Sequence, residues 1–288
     1  MNIKRILKRL IEEKFSLAFI FTRLIMKLGV SPPFVFKTNG IKLKLHPSAI
    51  TMELFRKKYS IDYDKFIIDR FVCENSICID VGANIGHLSI LMAKKAKNGI
   101  VIAIEPQFRI FKFMIENICI NNVNNIFPLN AAIDEIKGVK KFYSLANADD
   151  QSSFVINMHK HSNFKEEKVF AIRLDDLLQA FSFSKVDFLK IDVEGAELFV
   201  LKSLGEFIKN VKYIWFEFIE ENYKKFNYTK KEIFEFLTLN EFSLFFLNDK
   251  KKIQPIVDIT EIKDDFMGNL LAVNNKYKNY IYSNPCAE

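Results

Sequence analysis

The stretch Lys190-Ile-Asp-Val-Glu-Gly-Ala-Glu197 sets Lys190, Asp192, Glu194 and Glu197 directly after an apolar run. Burying charge without partners is costly, so such a cluster beside a core strand points to proton transfer or cation binding at a reacting centre. Lys190 and Asp192 share one face of an extended chain. Asp192 and Glu194 are the candidate catalytic carboxylates. They can take the proton of an acceptor hydroxyl or hold a divalent cation that polarises it. Glu197 suits the first turn of the following helix, where the macrodipole favours an acid. Glu217 closes the run Tyr213-Ile-Trp-Phe-Glu217 and is a candidate substrate contact.

A second cluster reads Asp80-Val-Gly-Ala-Asn-Ile-Gly86. The pattern is D-x-G-x-x-x-G, not the G-x-G-x-x-G that cradles a pyrophosphate on bare amides. A carboxylate leading the loop repels phosphate and suits a cation. S-adenosyl-L-methionine, with its sulfonium and ammonium, is such a ligand. Gly82 lets backbone approach the ligand, and Gly86 lets a helix start tight against it. Asn84 lies between them. Glu105 ends the run Ile100-Val-Ile-Ala-Ile104 and has the position of an acid that accepts ribose hydroxyls. Ala132 follows Pro128-Leu-Asn-Ala, small residues where an adenine ring would lie. His87, directly after the loop, is a further candidate to face the acceptor.

These groups need elements to hold them. Ile77–Val81, Ile100–Ile104, Ile126–Asn130, Val186–Asp192 and Tyr213–Glu217 read as strands alternating with helical patterns near 88–97, 109–121 and 196–204. Ser243–Leu247 and Met267–Val273 read as a closing hairpin. Continuous apolar strands separated by helices predict an α/β fold, a mostly parallel sheet covered on both faces. Such sheets bind ligands beyond the carboxyl ends of their strands. Val139–Tyr143 and Lys168–Arg173 read as a hairpin arm. Its polar loop, residues 144–167, carries Ser153, His159 and His161 and reads as a substrate cover, with Ser153 assigned to the substrate.

Taken together, D-V-G-A-N-I-G at 80–86, I-E-P at 104–106, R-L-D-D-L-L at 173–178 and K-I-D-V-E-G-A-E at 190–197 resemble the FkbM family of S-adenosylmethionine-dependent methyltransferases. The resemblance spans about residues 76–220. It implies a class I methyltransferase Rossmann-like fold, with a seven-stranded sheet ending in an antiparallel hairpin. It also implies O-methylation of hydroxyls on sugars, glycans or natural products. By position, Asp80, Gly82, Asn84, Gly86 and Glu105 resemble cofactor residues, and Asp192 and Glu194 resemble active-site residues. The competing readings are an NAD-type oxidoreductase, which shares the ribose-binding acid, an RNA ribose methyltransferase, and a binding module without activity. Base methylation on this fold uses an aromatic after the fourth strand, where this chain has Asp192-Val-Glu-Gly.

The chain has 288 residues, 49% of them hydrophobic and 27% charged, enough for a sizeable core. Its net charge of +7 is uneven. Residues 1–27 hold seven basic side chains against two acidic ones, leaving 35 against 33 in the body. A body so nearly neutral is not built to neutralise phosphates, and no nucleic acid partner is expected. The expected acceptor is a small molecule or a glycan. Ile3, Ile6, Leu7, Leu10 and Ile11, with Lys4, Arg5, Lys8 and Arg9 between them, predict a basic amphipathic helix. It reads as a peripheral anchor on an anionic membrane face or as a helix packed on the body. The predicted division is an extension over 1–60, a methyltransferase domain over 61–275 and a tail over 276–288. The four cysteines show no C-x-x-C pair, which predicts free thiols and a cytoplasmic setting, at the inner membrane face if residues 1–27 anchor it. Nothing in the chain sets an oligomeric state.

Overall fold

The computed structural model describes residues 17–145, 164–263, 265–283 and 285–286. The predicted helix over 3–11 and Ser153, His159 and His161 lie outside the described residues.

The strands are β1 (Val35–Thr38), β2 (Ile41–Lys44), β3 (Ile77–Val81), β4 (Ile100–Ile104), β5 (Ile126–Leu129), β6 (Ala132–Ile133), β7 (Gly138–Leu145), β8 (Phe164–Ile172), β9 (Val186–Ile191), β10 (Val211–Ile219), β11 (Phe242–Leu247), β12 (Ile253–Ile256) and β13 (Met267–Asn274). The central sheet runs β12-β11-β13-β10-β9-β3-β4-β5. β10, β9, β3, β4 and β5 are mutually parallel. β13 inserts antiparallel between β10 and β11. The predicted closing hairpin is therefore present as β11 and β13. The sheet has eight strands rather than seven, because Ile253–Ile256 pairs antiparallel on the outer edge of β11. That segment carries Pro255, which an edge strand tolerates. The predicted arm is the β7/β8 hairpin, joined by β6 into a separate three-stranded sheet.

Alternate residues of the central strands feed two cores, one on each face. Ile79, Val81, Ile102 and Ile104 pack on one side with Leu198 and Leu201 of the helix Glu197–Lys202. Cys78, Val101 and Ala103 pack on the other with Leu88 and Met92 of the helix His87–Lys95. This is the two-residue period of a sheet buried on both faces. β3 feeds β4 and β5 to one side, while β9 and β10 lie on the other. The strand order thus reverses beside β3, where the carboxyl ends of β3, β4, β9 and β10 leave a crevice.

The amino-terminal part joins this body. Ile41, Leu43 and Leu54 are fully or nearly buried in the second core. Asn117 and Asn121, on the helix Phe108–Asn121, accept the Lys44 and Lys42 amides of β2 at 2.9 Å each. At the other end, Ile281 is buried in the same core. Cys73 and Cys286 form a disulfide. This corrects the expectation of free thiols: the partners are 213 residues apart, so no local spacing betrays the pair. Cys78 and Cys119 remain free.

Candidate active site

A cavity of about 230 Å³ opens in the crevice. Its walls carry Gly82, Asn84, His87, Glu105, Ala132, Lys190, Asp192, Glu194 and Glu217. Of the candidates within the described residues, Asp80 and Gly86 alone do not line it.

Asp80 is fully buried beneath the loop. Its Oδ2 accepts the Ser89 hydroxyl at 2.5 Å, and its Oδ1 lies 3.6 Å from Lys190 Nζ. Asp80, read from the sequence as facing a cationic ligand, here faces the Lys190 ammonium. Lys190 in turn sits 3.1 Å from Asp192 Oδ2 and donates to the Gly82 carbonyl at 3.4 Å. Burial disfavours the lysine charge, but Asp192 and Asp80 overcompensate and hold its pKa above the ordinary value. Gly86 takes φ +78° at the start of the helix, and a Cβ there would come 2.7 Å from Met114 Cγ. Its smallness serves helix packing.

The loop itself is pinned to β4. The Gly82 and Ala83 amides donate to the Ile104 carbonyl at 3.0 and 2.9 Å. Asn84, at φ +50°, tolerates the left-handed region as few residues do. Its amide donates to Glu105 Oε2 at 3.0 Å, while Glu105 Oε1 accepts the Gln107 amide at 2.8 Å. Glu105 is thus oriented by backbone on the cavity wall.

In the same cavity Asp192, Glu194 and Glu217 each bring a carboxylate oxygen within 4.8 Å of the other two. The Asn222 side-chain amide donates to Glu194 Oε2 at 3.2 Å and to Glu217 Oε2 at 3.1 Å. Glu194 sits at φ +57°, a strained conformation for a residue with a side chain, and such strain concentrates at functional sites. Burial first, then Asp192 and Glu194, push the Glu217 pKa well above the usual carboxylate range. The Asp192 side chain, beside the buried lysine, is 38% exposed.

His87 is buried, and neither ring nitrogen has a hydrogen-bond partner among the described residues. Burial lowers its pKa to about 3, so the ring stays neutral and is a weak base for a hydroxyl. Glu197 is also buried. Its Oε1 accepts the Val193 amide at 3.0 Å and closes the loop after β9. Burial pushes its pKa up to about 7. An acid whose folded pKa lies above its unfolded value of about 4.5 binds more protons when folded, so stability falls as pH rises from 4.5 through 7. Glu197→Gln keeps the acceptor oxygen and removes the charge. It should raise stability at pH 8 by on the order of 1–3 kcal/mol and change it little at pH 4.5, read by denaturant unfolding. A variant less stable at both pH values would refute this account.

Ile50, Glu53 and Tyr59 also line the cavity. They belong to the segment read as an extension and lie outside every motif, so spacing offered no signal for them. Lys190 stood inside a motif, but its buried bridge between two acids becomes visible only once β3 and β9 are paired. Arg173 and Asp175 of the R-L-D-D-L-L stretch pair with each other at 2.6 Å and do not line the cavity.

Comparison with known proteins gives the site a context. A methyltransferase of Beauveria bassiana, "Methyltransferase 1", is 27% identical over 190 residues, 59% of this chain and 74% of its own. A tRNA (guanine(37)-N(1))-methyltransferase, Trm5b of Pyrococcus abyssi, is 30% identical over 103 residues, 36% of this chain and 29% of its own. The hexuronic acid methyltransferase AglP of Haloferax volcanii is 28% identical over 142 residues, 49% of this chain and 55% of its own. The family model for the methyltransferase FkbM domain matches residues 80–244, from β3 to β11 and through every strand end that lines the cavity. With that match covering more than half of its length, the protein belongs to the FkbM methyltransferase family and is an S-adenosylmethionine-dependent methyltransferase of class I fold.

Proposed function

We propose that the protein moves the methyl group of S-adenosylmethionine onto a hydroxyl of a sugar, in a surface glycan or glycolipid. The observation that carries this reading is the group of Asp192, Glu194 and Glu217 in the same cavity as Gly82, Asn84, Glu105 and Ala132. The donor fits the latter residues by its chemistry: Glu105 offers a backbone-oriented carboxylate to a ribose, and Gly82 and Ala132 leave room for a flat ring. Five carboxyl side chains and one ammonium line the whole cavity, a balance that favours a cationic donor and disfavours a phosphate-rich acceptor. The carbohydrate named for AglP is consistent with a polyol acceptor.

When bound, S-adenosylmethionine supplies a methyl group already activated by the sulfonium. The work left to the protein is alignment and removal of one proton. Asp192 accepts the proton of the acceptor hydroxyl, and Lys190 beside it keeps Asp192 oriented. Glu217 and Glu194, fixed by Asn222, hold neighbouring hydroxyls of the same sugar. Incubation with tritiated donor and cell-envelope fractions, followed by mass spectrometric location of the methyl group, tests the reading. Label on a sugar oxygen supports it, and label confined to RNA would sink it.

The same carboxylates favour a second reading, in which they hold a divalent cation. Their donors are all hard oxygens, as magnesium and calcium prefer. A chelator separates the two. Proton acceptance by Asp192 predicts a rate unchanged by EDTA, whereas a bound cation predicts loss of activity restored by added magnesium.

A further inference from the structure

The helix Leu17–Leu28 turns Thr22 and Ile25 inward, with Ile25 packing on Leu45 and Met52. A surface helix should present polar residues on its other side. This one presents Ile20, Leu24 and Leu28, which are 52%, 52% and 59% exposed. The following chain adds exposed Val30, Phe34 and Val35. Exposed Arg23 and Lys27 lie among them, and no Asp or Glu occurs between Glu13 and Glu53.

We propose that this face docks on an anionic lipid bilayer and that the neighbouring cavity takes an acceptor carried in that bilayer. The second clause rests on the hydroxyl-transfer reading above. The twelve described residues of the helix carry Arg23 and Lys27 among their apolar side chains, the pattern of a helix that lies on a membrane rather than across it. No helix among the described residues is long and apolar enough to cross a membrane. An apolar face carrying Arg23 and Lys27, beside a groove lined by Arg56 and the single acid Glu53, complements anionic headgroups. It would repel a second copy of itself across a two-fold axis. The groove beside the helix is walled by Met52, Glu53 and Arg56 of the neighbouring helical segment. Glu53 also lines the donor cavity, as does Ile50. Glu53 therefore stands between the lipid-facing groove and the donor cavity, and a headgroup sugar has a short way to travel.

The test uses the full chain and its I20E/L24E/L28E variant, none of whose positions lines the donor cavity. Matched thermal unfolding and S-adenosylhomocysteine affinity show that the variant is folded. The wild type should sediment with phosphatidylcholine vesicles containing phosphatidylglycerol and not with phosphatidylcholine alone, and the variant should lose at least about tenfold in vesicle affinity. With tritiated donor, the variant should label intact cell-envelope membranes at least about tenfold less than the wild type, yet label a detergent extract of them equally. Absent vesicle binding, equal labelling of intact membranes by both proteins, or a dimer that the variant dissolves without any vesicle binding overturns the proposal. Normal vesicle binding with no label in either preparation upholds the docking face and sinks the transfer reaction, so the two failures stay distinct.

Discussion

Asp192→Asn is expected to lower the rate of methyl transfer by about a hundredfold or more, the order of a lost general base, while S-adenosylhomocysteine affinity stays within a few fold. The amide preserves shape and cannot take a proton. Lys190 keeps Asp80 as a partner, so the buried ammonium is not stranded. A second readout separates chemistry from mere scaffolding. Asp192 is the largest charged contributor to the raised Glu217 pKa after burial itself. Removing that charge lowers the Glu217 pKa, so the pH limb that reports it should move to lower pH in the variant. Single-turnover rates across pH, with calorimetry for binding, check both. Wild-type turnover in the variant would remove Asp192 from the mechanism.

Gly82→Ala should be more damaging to the site as a whole. A Cβ built on Gly82 would stand 1.8 Å from the Asp192 carbonyl oxygen, and φ is +79°. The obstacle is backbone and cannot swing aside, so the ends of β3 and β9 must part. Strain at a left-handed non-glycine residue and overpacking each cost about 1–3 kcal/mol, so a loss of about 3 kcal/mol of stability is expected. Donor affinity should fall about a hundredfold, because the loop carrying Asn84 moves with it. Gly86→Ala is the control: its obstacle is the flexible Met114 side chain, and the effect should be smaller. Equal melting temperatures and S-adenosylhomocysteine affinities for Gly82→Ala and the wild type would contradict the described packing of the loop on β9.

Much of this was legible in the sequence because sheet and helix periods differ. The apolar runs at 77–81, 100–104 and 186–191 fall on strands, and cavity-lining side chains follow their ends. The candidate acids Glu105, Asp192, Glu194 and Glu217 do line one cavity. Asp80 lies beneath the cavity rather than in its wall for a physical reason. A carboxylate opening a glycine loop looks available, but its neighbour across the β3/β9 ladder is Lys190. That pairing is non-local and decides which acid lines the cavity. Ile50, Glu53 and Tyr59 were invisible for the same reason: only packing of the amino-terminal segment carries them to the cavity. The edge strand β12 is short and contains Pro255, so its pattern carries little strand signal.

The bond between Cys73 and Cys286 has a consequence for the whole enzyme. It fastens the residue just ahead of β3 to the far end of the chain, so the entire catalytic sheet lies inside one covalent ring. In the chain-entropy picture, a ring of that size handicaps the unfolded state by about 5 kcal/mol. The redox character of its surroundings thereby becomes a determinant of how long the molecule survives heat or proteolysis, independently of anything bound in its cavity.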